Sequence, residues 1–346
     1  MLKGVIFMKF LFIGGYGTIG HSIVNLISQD SENTLYILKR HITEDLPKKD
    51  NIIYIQGNGK DEEFLSNIAD KYNFDVVFNF IIFDPKEAKI NIKAFKNKIK
   101  QFIFISTACV FDRDSSVLIN EKTKKGNKYG NYGRLKLECE NEFLKALKEF
   151  NFPITIVRPS QTYSGNRIPL SIKGSSCWSV IQRIIDGKEV IVHGDGKSTW
   201  VSTHSDDLAK GIYPLINNPL AIGEDFNITS DEILSWDQIY NTIGELLNKE
   251  VNIIHIPTDI LKESKKYDFV TSILGDKQYS VIFDNSKIKS LNKDFHCDIK
   301  LKEGLKKYLE FMDKHPELKI IDSDFQNWCD YLIKNYKKNI IQIGSF

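Results

Sequence analysis

Short apolar runs alternate with helix-compatible stretches through the first half of the chain, and this alternation narrows the accessible folds more than any other feature. Residues 9–13 (KFLFI), 35–38, 52–55, 76–82 and 102–106 are almost continuously aliphatic or aromatic. Such runs suit parallel strands covered on both faces, because a strand with one wet face would alternate apolar and polar residues. Between them, residues 21–29, 62–71 and 85–97 read as helices. Repeated strand–helix–strand order predicts an α/β fold, a doubly wound parallel sheet with right-handed crossovers. Residues 154–158 (ITIVR) add a sixth strand.

The first strand runs into Gly14-Gly15-Tyr16-Gly17-Thr18-Ile19-Gly20 and then a helix. Glycines at 14, 17 and 20 suit a sharp turn, a close approach of pyrophosphate to the backbone, and tight helix–strand packing. The helix N-terminus beyond them offers unpaired N–H groups to phosphate. A glycine turn without function is the bland alternative, and the position of this loop after the first of several alternating strands weighs against it. The predicted fold is therefore Rossmann-like. Gly14, Gly17, Thr18, Ile19 and Gly20 are the expected cofactor contacts, with Phe80 in the fourth strand run and Pro159 after the sixth. The second strand ends Leu38-Lys39-Arg40. Basic residues there suit a ribose 2′-phosphate, so NADP is favoured slightly over NAD, although solvated strand-end charges explain them nearly as well. Asn58, after the third strand, is placed where an amide could meet adenine.

Residues 131–149 read as one long helix, and Tyr132 and Lys136 lie one turn apart on it. An ammonium near the phenol, together with a positively charged nicotinamide ring, would draw the tyrosine pKa toward neutrality. The fifth strand ends Ser106-Thr107-Ala108-Cys109, at the carboxyl edge where open α/β sheets bind ligands. Thr107, Tyr132 and Lys136 are thus the candidate catalytic set.

These features, in this order, resemble the extended short-chain dehydrogenase/reductases, the NAD-dependent epimerase/dehydratase family. Arg158-Pro159-Ser160, Gly194-Asp195-Gly196 and His204-Ser205-Asp206-Asp207 fit the same pattern. The resemblance implies an NAD(P)-dependent oxidoreductase or epimerase acting on a carbinol or keto carbon of a sugar-like, nucleotide-activated or simpler, small molecule. It implies a smaller, mostly helical C-terminal substrate domain and a homodimer formed through helices that include the Tyr132–Lys136 helix. Two departures matter. The 4,6-dehydratases of the family carry an Asp-Glu pair where this chain has Ala108 and Cys109, which demotes dehydration. Nucleotide-sugar enzymes commonly carry Asn and a diphosphate-clamping Arg where this chain has Gln161 and Trp200, and an indole does not replace a guanidinium fork. Either Arg167 or Lys197 covers the phosphate, or the substrate is no nucleotide sugar. Cys109, Gln161 and Trp200 remain the expected substrate contacts, although for Trp200 a plain core role is favoured over a stacking platform.

Residues 1–165 are expected to form the dinucleotide-binding unit, with strands returning from about 189–228, and 166–346 mainly the substrate unit. The loop 160–176 reads as a mobile, substrate-facing segment. Helix is expected over 180–186 and through most of the chain after residue 235, with strands near 189–193, 226–228, 251–256 and 281–283. A net charge of +2, from 47 basic and 45 acidic residues, provides no electrostatic footprint for nucleic acid or an anionic membrane. The competing class is a dinucleotide-binding sensor or RNA-associated protein that kept the fold and lost the chemistry. Five scattered cysteines with no CxxC pair, and isolated His193 and His204, point to buried thiols and no metal site. The opening residues read as a first strand starting from Met1 or Met8 rather than a signal peptide, and with no apolar run of bilayer length a cytoplasmic, non-membrane protein is expected.

Overall fold

The computed structural model describes residues 7–44 and 46–343, so the opening residues considered as an alternative start lie partly outside the described chain. Seven strands form one all-parallel sheet: β1 (Lys9–Ile13), β2 (Thr34–Lys39), β3 (Ile52–Gln56), β4 (Val76–Asn79), β5 (Gln101–Ile105), β6 (Ile154–Pro159) and β7 (Asp225–Ile228). Their spatial order is β7-β6-β5-β4-β1-β2-β3, with β1 paired to both β2 and β4. The chain reverses direction across the sheet at the β1/β4 boundary, which makes that crevice the ligand site of such a sheet.

Near-continuous hydrophobicity has the expected cause. In β1, Phe10 and Phe12 face one apolar layer while Leu11 and Ile13 face the other. In β5, Ile103 and Ile105 join the first layer, and Phe102 and Phe104 the second. One layer is closed by α1 (Gly20–Ile27), the other by α2 (Glu62–Tyr72), α3 (Pro85–Phe95) and α4 (Asn131–Phe150). Asp61 and Asp84 cap α2 and α3 by accepting hydrogen bonds from the Phe64 and Lys86 amides, satisfying N–H groups the helices cannot.

The fourth strand is shorter than its apolar run. It ends at Asn79, whose side chain donates to Asn91 and accepts from the Ile81 amide, and Phe80–Ile82 leave the sheet. Residues 190–193 also depart from expectation. They pair in parallel with Ile253–Ile256 as a separate ribbon, and of the returning strands it is β7 that joins the main sheet.

The remaining residues surround a third apolar core built on α5 (Trp178–Ile185), α7 (Trp236–Leu247), α8 (Leu301–Lys314) and α9 (Ser323–Ile343). The helix α6 (Ser205–Ile212) belongs to the sheet side, packed against α1. Small ribbons tie the two parts together: Gln161–Tyr163 with Ser202–His204, and Leu118–Ile119 with Ile282–Phe283. The segment Val270–Lys277 is a π-helix, a wide-turn conformation found mostly at functional sites. No helix among the described residues is long and apolar enough to cross a membrane.

Candidate active site

The loop after β1 needs its glycines for separate reasons. Gly14 has φ +84°, the left-handed region, and a Cβ there would also press on Ile81. A Cβ on Gly20 would run into the backbone of Gly15, so the loop can fold against the start of α1 only if residue 20 has no side chain. Helix α1 has no side-chain cap and no acidic residue in its first turn. The His21 amide donates to the Gly17 carbonyl at 3.2 Å, and no side chain or acid competes with an anion for the other N-terminal amides. These features fit a dinucleotide pyrophosphate.

Around this loop, Phe80 donates its amide to the Ile13 carbonyl and lies beside Gly14. Arg40 is exposed just past β2, while the Lys39 ammonium sits 5.5 Å from the Tyr16 ring centroid. Asn58 is exposed, and its side-chain oxygen accepts from the Lys60 amide in a local turn.

Beyond the loop opens a cleft of about 540 Å³. Thr18, Ile19, Thr107, Cys109, Tyr132, Pro159, Gln161 and Trp200 all line it. Eight side chains singled out from sequence, spread over 183 positions, thus meet in one cavity. Gly14, Gly17, Gly20, Arg40, Asn58 and Phe80 sit outside it, on the loop and neighbouring strand ends.

Helix α4 is brought to the cleft by a contact the sequence reading passed over. Gly133, inside the Tyr-Gly-Arg-Leu-Lys motif, packs directly under the carbonyl of Cys109, and a Cβ there would overlap the oxygen. Thr107, two residues past β5, caps the short turn Ala108–Val110, its hydroxyl accepting from the Cys109 amide at 3.2 Å. Thr107 and Tyr132 both line the cleft, and the Thr107 hydroxyl opposes the rise of the phenol's pKa.

Electrostatics here are governed first by burial. Enclosure of the phenol oxygen raises the Tyr132 pKa; the Cys109 neighbour adds to this, while Thr107 and Arg167 oppose it. The Lys136 ammonium is turned inward and donates to the Ile105 carbonyl at 2.8 Å. It is 2% exposed and lies between the rings of Phe83 and Phe104, 4.5 and 4.8 Å from their centroids. Burial in this largely apolar sleeve lowers its pKa to about 8. Cys109 is pushed the other way: burial and the nearby Asp276 raise its thiol to about 12, so it stays protonated at neutral pH.

Gln161 and Trp200 prove to be partners. The indole N–H donates to the Gln161 side-chain oxygen at 2.6 Å, and Trp200 also packs 5.5 Å from the Trp236 ring. Of the two cations considered for a phosphate, Arg167 lines the cleft, whereas Lys197 is solvated and paired with Asp237 at 2.7 Å. The loop after β6 faces the cleft as expected, but it is anchored there by buried Ile168, Leu170 and Ile172.

Several lining residues carried no local sequence signal. Arg113 and Asp276, 163 positions apart, form an ion pair at the cleft. Tyr267, Asp268 and Thr271 add a wall from the C-terminal part. Beneath the site, Glu140 of α4 receives Ser106 Oγ at 2.5 Å and both Nε and Nη2 of Arg158 at 2.8 and 2.7 Å, all buried.

Comparisons agree with this architecture. The family model described as the NAD dependent epimerase/dehydratase family matches residues 10–229. A chloroplast stem-loop binding protein of 41 kDa from Arabidopsis thaliana is 24% identical, covering 86% of this chain and 77% of the relative. A human dTDP-D-glucose 4,6-dehydratase is 22% identical over 94% of this chain and 93% of its own. Among solved structures, a UDP-glucuronic acid 4-epimerase from Bacillus cereus superposes with a TM-score of 0.73 at 20% identity, covering 89% of this chain and all of that one.

Proposed function

Because the chain belongs to the NAD-dependent epimerase/dehydratase family, we propose that it is an NAD(P)-dependent epimerase or reductase working at a carbinol or keto carbon of a sugar-like molecule, with a nucleotide-activated sugar the favoured class. The observation that carries this reading is the meeting of Thr107 and Tyr132 in one cleft with the start of the cofactor loop. Held on Gly14, Gly17 and the open N-terminus of α1, a nicotinamide dinucleotide would supply a reversible hydride acceptor.

The chain's own groups would manage the proton. Thr107 holds the substrate oxygen, and Tyr132 takes or returns its proton. Lys136 serves from behind α4's first turn, as a buried ammonium whose low pKa favours release of its proton when a neighbouring oxygen needs one. Dehydration fits poorly, since Ala108 has no acid or base and the Cys109 thiol stays protonated at neutral pH. Arg167 is the candidate for a diphosphate. The exposed Arg40 favours NADP over NAD, and a homodimer is inferred from the family resemblance alone.

Likeness to a stem-loop binding protein favours one second reading, an RNA-associated protein on the same fold. One experiment separates the two. Purified protein is denatured and its released nucleotide identified, and any apo fraction is titrated with NAD and NADP. Retained NAD supports an epimerase-like cycle and removes the NADP preference; reversible NADPH binding supports a reductase. No affinity for either sinks the enzyme reading.

A further inference from the structure

Three arginines are buried among the described residues, and in two of them every guanidinium nitrogen has an oxygen within ion-pair or hydrogen-bond reach. Arg158 places Nε and Nη2 on Glu140 and has Nη1 2.6 Å from Asp225. Arg183 donates from Nε to the Glu189 carbonyl, from Nη1 to Gln326 and from Nη2 to Asp330. Arg113 differs. Its side chain is 2% exposed, Nη2 donates to Asp276, and Nε and Nη1 have no partner. Buried guanidinium nitrogens are rarely left without acceptors, because they lose water and gain nothing in return. The Trp200 ring, 6.0 Å from the guanidinium carbon, offers a π face and no lone pair.

Arg113 is also set apart by its position. Among the described side chains with unpartnered buried polar atoms, Arg113 is the one that lines the cleft. It sits in a turn closed by the Ser115 N–H on the Asp112 carbonyl, just after an antiparallel bridge between Phe111 and Lys125. Its charge reaches Cys109, the residue two beyond Thr107. That location is the reacting end of the cleft. Arg167 and Lys173 add positive charge to the walls, while Asp276 is committed to Arg113 and Asp268 to the hydroxyl and amide of Thr271.

We propose that Arg113 is the recognition group for a carboxylate on the substrate, close to the reacting carbon, with Asp276 of the π-helix aligning its guanidinium. This rests on the proposed function for the reacting end of the site. A carboxylate has the two acceptor oxygens that a guanidinium edge matches. A phosphate would match too, so the test separates the sources.

NAD-supplemented protein is titrated calorimetrically with UDP-glucuronate, UDP-glucose, UDP and free D-glucuronate, as wild type and as Arg113→Met, with melting temperature as the folding check. The expected result is a preference of the wild type for UDP-glucuronate over UDP-glucose. Arg113→Met should weaken UDP-glucuronate on the order of 10- to 100-fold while changing UDP by less than about two-fold. An acid preference that survives the substitution overturns the proposal. Equal weakening of UDP and UDP-glucuronate in a normally folded variant also overturns it, moving Arg113 to the diphosphate. Should no UDP compound bind the wild type, the nucleotide part of the proposed function fails. Arg113-dependent binding of free D-glucuronate would still uphold the present inference, and its absence would overturn it.

Discussion

Gly133 packs so closely on the Cys109 carbonyl that a Cβ would overlap its oxygen, and the helix bearing Tyr132 and Lys136 meets the strand-end turn bearing Thr107 backbone to backbone. A methyl group at residue 133 has nowhere to go, since the obstacle is main chain. Gly133→Ala should push the two elements apart, costing about 1–3 kcal/mol of stability. Turnover should fall by more than the loss of folded protein explains. Chemical denaturation and activity per folded molecule check both parts.

Tyr132→Phe removes one oxygen and leaves the ring that packs 6.4 Å from Phe83. Turnover should drop on the order of 10²- to 10⁴-fold, with dinucleotide affinity nearly unchanged. Single-turnover hydride transfer, followed by nicotinamide absorbance, is the measurement. Full activity in this variant would end the assignment of the proton to Tyr132.

Lys136 sets function against stability. Its folded pKa is about 8 against an ordinary 10.5, so the cost of burying the charge is fully present below pH 8. That cost is relieved as pH rises from there toward 10.5, where the unfolded chain still holds the proton. Lys136→Met should therefore raise stability at pH 7 by about 1 kcal/mol or more while abolishing turnover. The gain should vanish near pH 10. Urea unfolding of both proteins at the two pH values tests the sign.

His193 governs the acid limb. Its Nε2–H donates to the Lys277 carbonyl at 2.9 Å, which leaves Nδ1 to accept from Ser171 Oγ at 2.6 Å. Burial lowers its pKa to about 4. Between about pH 6.5 and 4 the unfolded chain takes up a proton that the folded one refuses, so stability falls as pH falls through that window. His193→Gln should flatten the dependence of melting temperature on pH there. An unchanged slope would assign the acid sensitivity elsewhere, with His204, also lowered by burial, the next candidate.

Arg158 and Glu140 make a buried pair under the site, and removing one member strands the other. Arg158→Met should cost about 3–5 kcal/mol. Because Glu140 also receives Ser106 Oγ, the damage should reach the Thr107 turn and lower turnover of the molecules that remain folded.

The sheet was legible in the sequence because burial on both faces writes itself into consecutive residues, as in KFLFI and QFIFI. The glycine loop was legible for a related reason: each of its constraints is local. Gln161 and Trp200 stood out as departures from a family pattern, yet their meaning needed the structure, since one hydrogen bond across 39 positions accounts for both. The Arg113–Asp276 pair left no sign, because its partners sit in a turn and a π-helix that only the folded chain brings together. Helical spacing places Lys136 one turn from Tyr132, but it carries no sign of the sleeve formed by Phe83 and Phe104, inside which the ammonium donates to the Ile105 carbonyl.

The Trp200 indole is both a wall of the cleft and a hydrogen-bond donor to Gln161, with a second indole, Trp236, at 5.5 Å. Emission from such a pair depends on what contacts the outer ring. The protein therefore carries an optical reporter inside its own cavity, through which occupancy can be followed in real time without a label, a coupled assay or knowledge of the product.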